Sequence, residues 1–206
     1  MSSVEYLLAS RSLAVTRGEV RLINELDFEL AQGQLALVVG PNGSGKTSLL
    51  RVLAGLSAPA LGQVTWRGVE LHRLAPEQRS ELGYRGHFDG LKKDFTVTEN
   101  IEFYARLSGH QGRHDQLMSD LSLTEVKERQ VRFLSAGQRR RTGLATLKVG
   151  GTRLWLLDEP MTNLDADGRS LLAGWLEAHL HDGGVAVVAT HQPDELLRSG
   201  TLMIEL

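Results

Sequence analysis

Eight consecutive residues, Gly40–Thr47, have the sequence GPNGSGKT and fit the pattern G-x-x-x-x-G-K-[ST]. They lie between an apolar run, Leu35–Val39, and a stretch of helical periodicity, Thr47–Leu56, so a chance glycine-rich turn is disfavoured. Glycines let the backbone curl so that successive N–H groups point at phosphate oxygens, and the following helix adds its positive end. We predict that Lys46 reaches the β- and γ-phosphates of a bound nucleotide and that the Thr47 hydroxyl ligates Mg²⁺. The predicted phosphate-binding residues are Gly40, Pro41, Asn42, Gly43, Ser44, Gly45, Lys46 and Thr47.

Two adjacent acids, Asp158 and Glu159, end the apolar segment that starts at Leu154. A strand that ends in two acids is common and is usually structural when it stands alone. Here the pair follows a phosphate loop, and the carboxyl ends of parallel strands meet at one sheet edge. We therefore predict that Asp158 holds Mg²⁺ through water, and that Glu159 is the general base that polarises the attacking water.

The order of the predicted elements indicates an α/β fold with a parallel-sheet core. Strands are predicted at 7–15, 20–30, 35–39, 153–157 and 185–190, with a turn or hairpin at 63–71. Helices are predicted at 47–56, 97–107, 115–121, 123–129, 137–149 and 166–180. We expect a single domain over 1–206, with a core lobe (1–87 and 150–206) and a helical lobe (88–149).

The composition narrows the partners that we expect. A net charge of −2 and a pI near 6.4 do not favour nucleic acid, and the basic cluster Arg139–Arg141 is interpreted as an ATP-interface or helix-surface feature. The absence of cysteine excludes disulfides and thiolate metal sites. The N-terminal sequence does not resemble a signal peptide, and no apolar run reaches the roughly 18 residues of a membrane span. Work at a membrane would therefore require a partner.

The segment Leu134–Gln138, LSAGQ, resembles the LSGGQ signature of ATP-binding-cassette (ABC) proteins, with alanine in place of one glycine. Gly62–Gly68 is similar to a β-subdomain segment of that family, Asn163–Asp165 to the end of its D-loop, and His191 to its switch histidine. The resemblance covers essentially the whole chain. It implies a P-loop NTPase fold: a RecA-like parallel sheet, an antiparallel β subdomain and a helical subdomain that carries the signature.

The resemblance also implies a mechanism. Two cassettes would pair head to tail as a homodimer and enclose two ATP molecules. Ser135 and Gly137 of one copy would contact the γ-phosphate bound by the other, at a helix start that favours an anion. Asp165 would lie near the dimer seam. His191 would hydrogen-bond the γ-phosphate and help to position Glu159, the alternative being a strand-end histidine in a polar network.

Two positions depart from the family pattern. His87 stands where the family has a glutamine, at the start of the segment that faces the membrane partner. It would sense nucleotide differently or titrate near neutral pH, and the alternatives are a slip in the alignment at this position or a merely solvated residue. Arg17 stands where an adenine-stacking aromatic residue is expected. A guanidinium plane can stack on a base, and a solvated arginine is the alternative.

Small size, the pair Gly86–His87, LSAGQ and the sequence ATHQP around His191 together resemble one subfamily. It is the ATP-binding subunit of the bacterial haem exporter used in c-type cytochrome biogenesis. The resemblance implies an ABC-type ATPase on the cytoplasmic face of the inner membrane, held by separate integral membrane subunits, with ATP hydrolysis linked to haem delivery to a periplasmic chaperone. Another small-substrate ABC exporter and a soluble, non-transport ABC ATPase are the alternatives.

Overall fold

A computed structural model of the protein describes residues 6–86, 90–109 and 114–206. The strands are β1 (Tyr6–Arg17), β2 (Val20–Ile23), β3 (Phe28–Ala31), β4 (Leu35–Val39), β5 (Leu61–Trp66), β6 (Val69–Glu70), β7 (Leu82–Arg85), β8 (Leu154–Asp158), β9 (Val185–Ala189) and β10 (Leu202–Glu205). The α-helices are α1 (Lys46–Leu53), α2 (Pro76–Arg79), α3 (Val97–Leu107), α4 (Asp115–Asp120), α5 (Ala136–Val149) and α6 (Ala166–His181).

A parallel sheet forms the core, with strand order β10-β4-β9-β8-β7. Alternate residues of its central strands enter different apolar clusters: Ala36 and Val38 pack on one face of β4, and Leu35 and Leu37 on the other. Burial on both faces explains why these strands are apolar throughout. The carboxyl ends of β4, β8 and β9 lie side by side, so the residues after each strand meet at one edge.

A second, antiparallel sheet has β1 at its centre, paired with β2, β3 and β5. The predicted continuous strand 20–30 is wrong, because β1 bulges near Ser12, whose φ is 44°, and its partner strand breaks there. Between β2 and β3, Leu26 exchanges backbone hydrogen bonds with Leu13, and the Asp27 carboxylate accepts from Ser12 N. The predicted hairpin is confirmed as β5 and β6, joined by a turn at 67–68 with two positive φ values.

Helix α1 carries the phosphate-loop residues Lys46 and Thr47 in its first turn. It ends three residues earlier than predicted because Gly55, with a φ of 68°, turns the chain. Gly55 N donates to Val52 O at 3.0 Å and Leu56 N donates to Arg51 O at 2.9 Å. These are the two hydrogen bonds of a Schellman motif, which satisfies the last carbonyls of the helix.

The segments 90–109 and 114–149 hold α3, α4 and α5 around a separate apolar cluster. Helix α3 has the predicted bounds and begins at a capping box between Thr96 and Glu99. The predicted helix 123–129 is wrong: it is a single 3₁₀ turn, Thr124–Val126. The carbonyls of Lys127 and Arg129 accept hydrogen bonds from the start of α3 instead of from their own segment: Val97 N donates to Arg129 O and Thr98 N to Lys127 O. The lobe boundaries at 87/88 and 149/150 stay a prediction.

No helix within the described residues is long and apolar enough to cross a membrane.

Candidate functional site

The loop between β4 and α1 has a backbone shape that glycine alone adopts easily. Gly40, Gly43 and Gly45 have φ values of 152°, 87° and 113°. A Cβ on Gly40 would lie 2.4 Å from Leu206 O and 2.8 Å from Ser44 Oγ. Gly45 is also the N-cap of α1, so the loop leads directly into a helix N-terminus. This is the geometry in which backbone N–H groups and a helix end favour an anion.

Lys46 lies at the start of α1 and is almost fully buried. Its Nζ donates to Gly40 O at 2.7 Å and to Pro41 O at 3.1 Å, so the ammonium group lies across the glycine loop. A buried ammonium group needs compensating acceptors, which the two carbonyl oxygens provide. The lysine is thereby held at the place where phosphate oxygens would compete for the same donors.

Thr47 and Asp158 come from sequence positions more than a hundred residues apart and meet at the same edge of the parallel sheet. The Thr47 hydroxyl donates to Asp158 Oδ2 at 2.7 Å. Asp158 is the last residue of β8 and is buried. A hydroxyl and a carboxylate are the hard oxygen ligands that Mg²⁺ uses with phosphates and water, so the donor set fits this ion.

Glu159 follows β8 and points its carboxylate toward the end of β9. His191 Nδ1 lies 2.8 Å from Glu159 Oε2, so the imidazole N–H donates to the carboxylate. Glu159 has a φ of 48°, a left-handed conformation rare for a residue with a side chain, and its N–H donates to Ala189 O at 2.9 Å. The arrangement gives the carboxylate a fixed direction.

These groups line one cleft of about 590 Å³. The cleft residues that the sequence had predicted are Arg17, Gly40, Pro41, Asn42, Gly43, Gly45, Lys46, Thr47, Asp158, Glu159 and His191. Leu22, Ser48 and Thr162 also line it and carry no motif that could have identified them. Ser44 belongs to the loop but does not line the cleft, and its Oγ is buried without a hydrogen-bond partner among the described residues.

The two departures from the family pattern have different outcomes. Arg17 ends β1 and lines the cleft with an exposed side chain, while the described lining includes no Phe, Tyr or Trp. A planar guanidinium is therefore present where an aromatic residue was expected. His87 lies outside the described residues, so its role stays a prediction.

Ser135 and Gly137 do not line this cleft. Ser135 is exposed and is the N-cap of α5: its Oγ accepts from Gln138 N at 3.2 Å, and Gln138 Oε1 accepts from Ser135 N at 3.0 Å. A Cβ on Gly137 would lie 3.1 Å from Asn163 O, so the start of α5 packs closely on the segment after β8. The neighbouring Ala136 lines a second cleft of about 730 Å³, which Glu159 and Thr162 also reach.

Comparisons with known proteins agree with this architecture. The sequence model of the ABC transporter family matches residues 23–162. The chain is 43% identical, over 189 residues, to the cytochrome c biogenesis ATP-binding export protein CcmA of Nitrosomonas europaea, covering 90% of this chain and 89% of that one. The CcmA of Paracoccus denitrificans is 46% identical over 186 residues, covering 90% and 82%. The chain belongs to the ABC transporter family, among the cytochrome c biogenesis ATP-binding export proteins.

Solved structures of ABC proteins confirm the fold of this ABC chain. An ATP-binding subunit of an ABC transporter superposes with a TM-score of 0.83 at 20% identity, covering 95% of this chain and 88% of that one. A putative ABC transporter ATP-binding protein from Pyrococcus furiosus superposes with a TM-score of 0.81 at 21% identity, covering 97% and 96%.

The three arginines that follow the ABC signature bind three different parts of the chain. Arg139 Nη1 donates to Leu134 O at 2.6 Å, and Arg140 donates to carbonyl groups at the end of β8. Arg141 forms an ion pair with Asp165, the N-cap of α6, whose Oδ1 also accepts from Gly168 N at 3.0 Å. The basic cluster is thus engaged within the chain.

The hydrogen bond from Arg141 holds the pKa of the Asp165 carboxyl below its ordinary value, with help from the Gly168 N–H. Both donors favour the ionised carboxylate. The D-loop residue singled out in the sequence is therefore tied to the signature helix through a charged contact at the surface.

Proposed function

We propose that this chain binds ATP in the 590 Å³ cleft and hydrolyses it as the ATP-binding subunit of an exporter for cytochrome c biogenesis. The observation that carries the proposal is that the glycine loop, the Thr47–Asp158 pair and the Glu159–His191 pair all line one cleft. The loop supplies phosphate recognition, and the two pairs supply an ion site and a base. The curated relatives, named as ATP-binding export proteins, support this assignment.

In the proposed reaction, Glu159 accepts a proton as a water oxygen bonds to the γ-phosphorus and the bond to the bridging oxygen of ADP breaks. The His191 contact at 2.8 Å holds the carboxylate toward the γ-phosphate end of the cleft. Lys46 neutralises the charge on the β- and γ-phosphates. The chemistry demanded of the chain is therefore positioning, charge neutralisation and one proton transfer.

Mg²⁺ would be held by Thr47 Oγ1 and, through water, by Asp158. Mg²⁺ supplies neutralisation of the phosphate charge and orients the phosphate oxygens. Outside this pair, the described residues contain no cluster of three or more His, Cys, Asp or Glu that could hold another metal.

We further propose that the cleft is half of a composite site in a homodimer. Ser135 is exposed, caps a helix N-terminus and lies outside the cleft of its own chain, which fits contact with the γ-phosphate of a second copy. Asp165 would lie at the seam between the copies. Arg17 would stack on the adenine from the chain that holds the phosphates, since it lines that cleft and its guanidinium is planar.

The cytochrome c biogenesis relatives also support partners and a location. We propose that integral membrane subunits hold this chain at the cytoplasmic face of the inner membrane, and that its ATP hydrolysis drives haem delivery. The predicted helical lobe, 88–149, would receive the membrane subunits near His87. No role in binding nucleic acid is proposed.

Replacing the base tests the hydrolysis proposal. We expect Glu159→Gln to lower ATP turnover by about 100-fold or more while ATP binding persists, because the amide cannot accept the proton. ATP should then trap a dimer, detected by light scattering behind size exclusion. Glu177→Gln, an exposed acid on α6, is the control and should behave as wild type. Wild-type turnover in Glu159→Gln would remove Glu159 as the base.

Purification from native membranes tests the partner proposal. We expect the chain to copurify with integral membrane proteins after mild detergent extraction. Recovery without any such protein would contradict the exporter assignment and favour a soluble ABC ATPase. The cargo is tested in cells that carry Lys46→Ala: loss of haem-stained c-type cytochromes supports the haem pathway, and their retention would favour another exported molecule.

A further inference from the structure

Arg140 is a buried arginine in the second turn of α5, 6% exposed, five residues after Ser135. It reaches out of its own helix to the segment that follows β8. Its guanidinium donates to the carbonyl oxygens of Asp158 at 2.9 Å, Glu159 at 2.7 Å, Pro160 at 3.3 Å and Gly86 at 3.1 Å. The planar fork of donors suits several acceptors held at fixed angles.

Two of these acceptors belong to the peptide groups on either side of the Glu159 Cα atom. The Asp158 carbonyl lies in the peptide before it and the Glu159 carbonyl in the peptide after it, so holding both fixes φ and ψ of Glu159. The φ of 48° is rarely adopted by a residue with a side chain and persists only where the surroundings enforce it. The Glu159 N–H to Ala189 O bond adds a third restraint.

We propose that Arg140 is a positioning residue for Glu159: it holds the backbone that aims the carboxylate and links that carboxylate to the start of α5. The inference rests on the proposed role of Glu159 as the base. Arg140 and the N-cap Ser135 lie on one continuous helix, separated by about 7–8 Å along its axis. A shift of α5 at Ser135 is therefore transmitted along the helix to Arg140, and from Arg140 through its hydrogen bonds to the backbone of Glu159.

A purely structural role makes a different prediction, because another arginine hydrogen-bonds α5 at positions away from Glu159. Arg85, at the end of β7, donates to Gly143 O at 3.0 Å and to Thr146 Oγ1 at 2.7 Å. It ties the same helix to the same sheet, and the partners of its side chain among residues 6–86, 90–109 and 114–206 include Tyr84, Gly143 and Thr146 rather than residues 158–160. Arg85→Met is therefore the matched control for loss of helix docking.

The experiment compares Arg140→Met, Arg140→Lys and Arg85→Met for thermal midpoint, KM for ATP and kcat. We expect Arg140→Met to lower kcat by about 100-fold, since misplacing a reacting group by about 1 Å has that effect, with KM for ATP within about threefold. Arg140→Lys should recover part of kcat because an ammonium keeps one or two of the carbonyl contacts. Arg85→Met should lower the thermal midpoint without a matching loss of kcat.

A double variant separates positioning from general destabilisation. If Arg140 acts through the Glu159 carboxylate, adding Arg140→Met to Glu159→Gln should not lower turnover further. Additive losses, or an equal fall of kcat in Arg85→Met, would overturn the proposal. If Arg140→Met does not fold, Arg140→Lys carries the test: wild-type kcat in a folded Arg140→Lys would contradict positioning. Loss of turnover in Glu159→Gln together with wild-type kcat in Arg140→Met would leave the proposed function standing and remove only this inference.

Discussion

The phosphate loop and the signature segment are both turns that lead into a helix, yet they are built from different materials. Gly40, Gly43 and Gly45 shape the first through backbone angles that residues with side chains rarely adopt. The second begins at a capping box on Ser135. Of the arginines that follow it, Arg139 binds the Leu134 carbonyl within the signature, Arg140 binds the end of β8, and Arg141 binds the N-cap of α6.

The difference predicts how each region fails. An anion site formed by backbone N–H groups loses its function when an added side chain fills it or when a donor is removed, because the phosphate must come close to the loop. A region held by side-chain hydrogen bonds fails differently. Removing one arginine leaves the nucleotide site open, but the segment that this arginine holds can then shift. The first kind of failure appears in ATP affinity, and the second in turnover or stability.

Removing the Lys46 ammonium is the change with the largest expected effect on affinity. We expect Lys46→Ala to weaken ATP binding by about 10- to 100-fold, since a charge-assisted hydrogen bond contributes about 1.5–3 kcal/mol. Equilibrium binding of a fluorescent ATP analogue measures the change. Lys148→Ala, on the exposed side of α5, is the matched control and should bind as wild type. Unchanged affinity in Lys46→Ala would contradict the assignment of the loop around Lys46 as the phosphate-binding region.

Loss of a helix cap in the segment around α3 should affect stability alone. Thr96 Oγ1 accepts from Glu99 N at 3.1 Å, and the Glu99 carboxylate accepts from Thr96 N at 2.8 Å. We expect Thr96→Ala to lower the free energy of unfolding by about 1 kcal/mol, measured in urea, because the N-terminal N–H groups lose an acceptor. Thr96→Ser keeps the hydroxyl and should retain most of the stability.

The same pair of variants sharpens the comparison with the phosphate loop. KM for ATP should not change in Thr96→Ala, because the capped helix start does not line the 590 Å³ cleft. A fall in ATP affinity parallel to the fall in stability would show that the start of α3 and the phosphate loop are energetically coupled.

The residues that line the cleft are easier to predict from the sequence than the hydrogen bonds that hold those residues in place. Gly40–Thr47, Asp158 and Glu159 are identifiable because side-chain type and strand–turn–helix context both constrain them locally. The bond between Thr47 and Asp158 follows because Thr47 comes shortly after β4 and Asp158 ends β8, and both strands end at the same edge of the parallel sheet. Here, the local sequence pattern and the overall topology agree, and site residues can be predicted from sequence under that condition.

The sequence identifies Arg140 only as part of a basic cluster, because its acceptors are backbone carbonyls that any sequence supplies. Those acceptors lie up to 54 residues away along the chain, so no local spacing marks them. The edge strands β7 and β10 were missed for a related reason: each is four residues long and pairs on one side, so neither carries a long apolar run. The helix expected at 123–129 was displaced by backbone pairing with the start of α3, a tertiary contact that helical propensity does not contain.

The smallest expected effect concerns the Arg141–Asp165 pair at the surface. Because Arg141 lowers the pKa of Asp165 in the folded state, the pair contributes stability at neutral pH, and that contribution is lost as the pH falls through the folded pKa, below the ordinary 3.8. We expect Arg141→Met to raise the pKa of Asp165 toward 3.8, followed by NMR titration of its carboxyl carbon, with a small fall in thermal midpoint at neutral pH. Asp165→Asn keeps an N-cap acceptor while removing the charge, so it should show the same small fall and no further loss when combined with Arg141→Met. If the pKa of Asp165 does not move in Arg141→Met, the surface contact is not what joins the signature helix to α6, and of the three arginines Arg140 would remain as the one that joins this helix to another element.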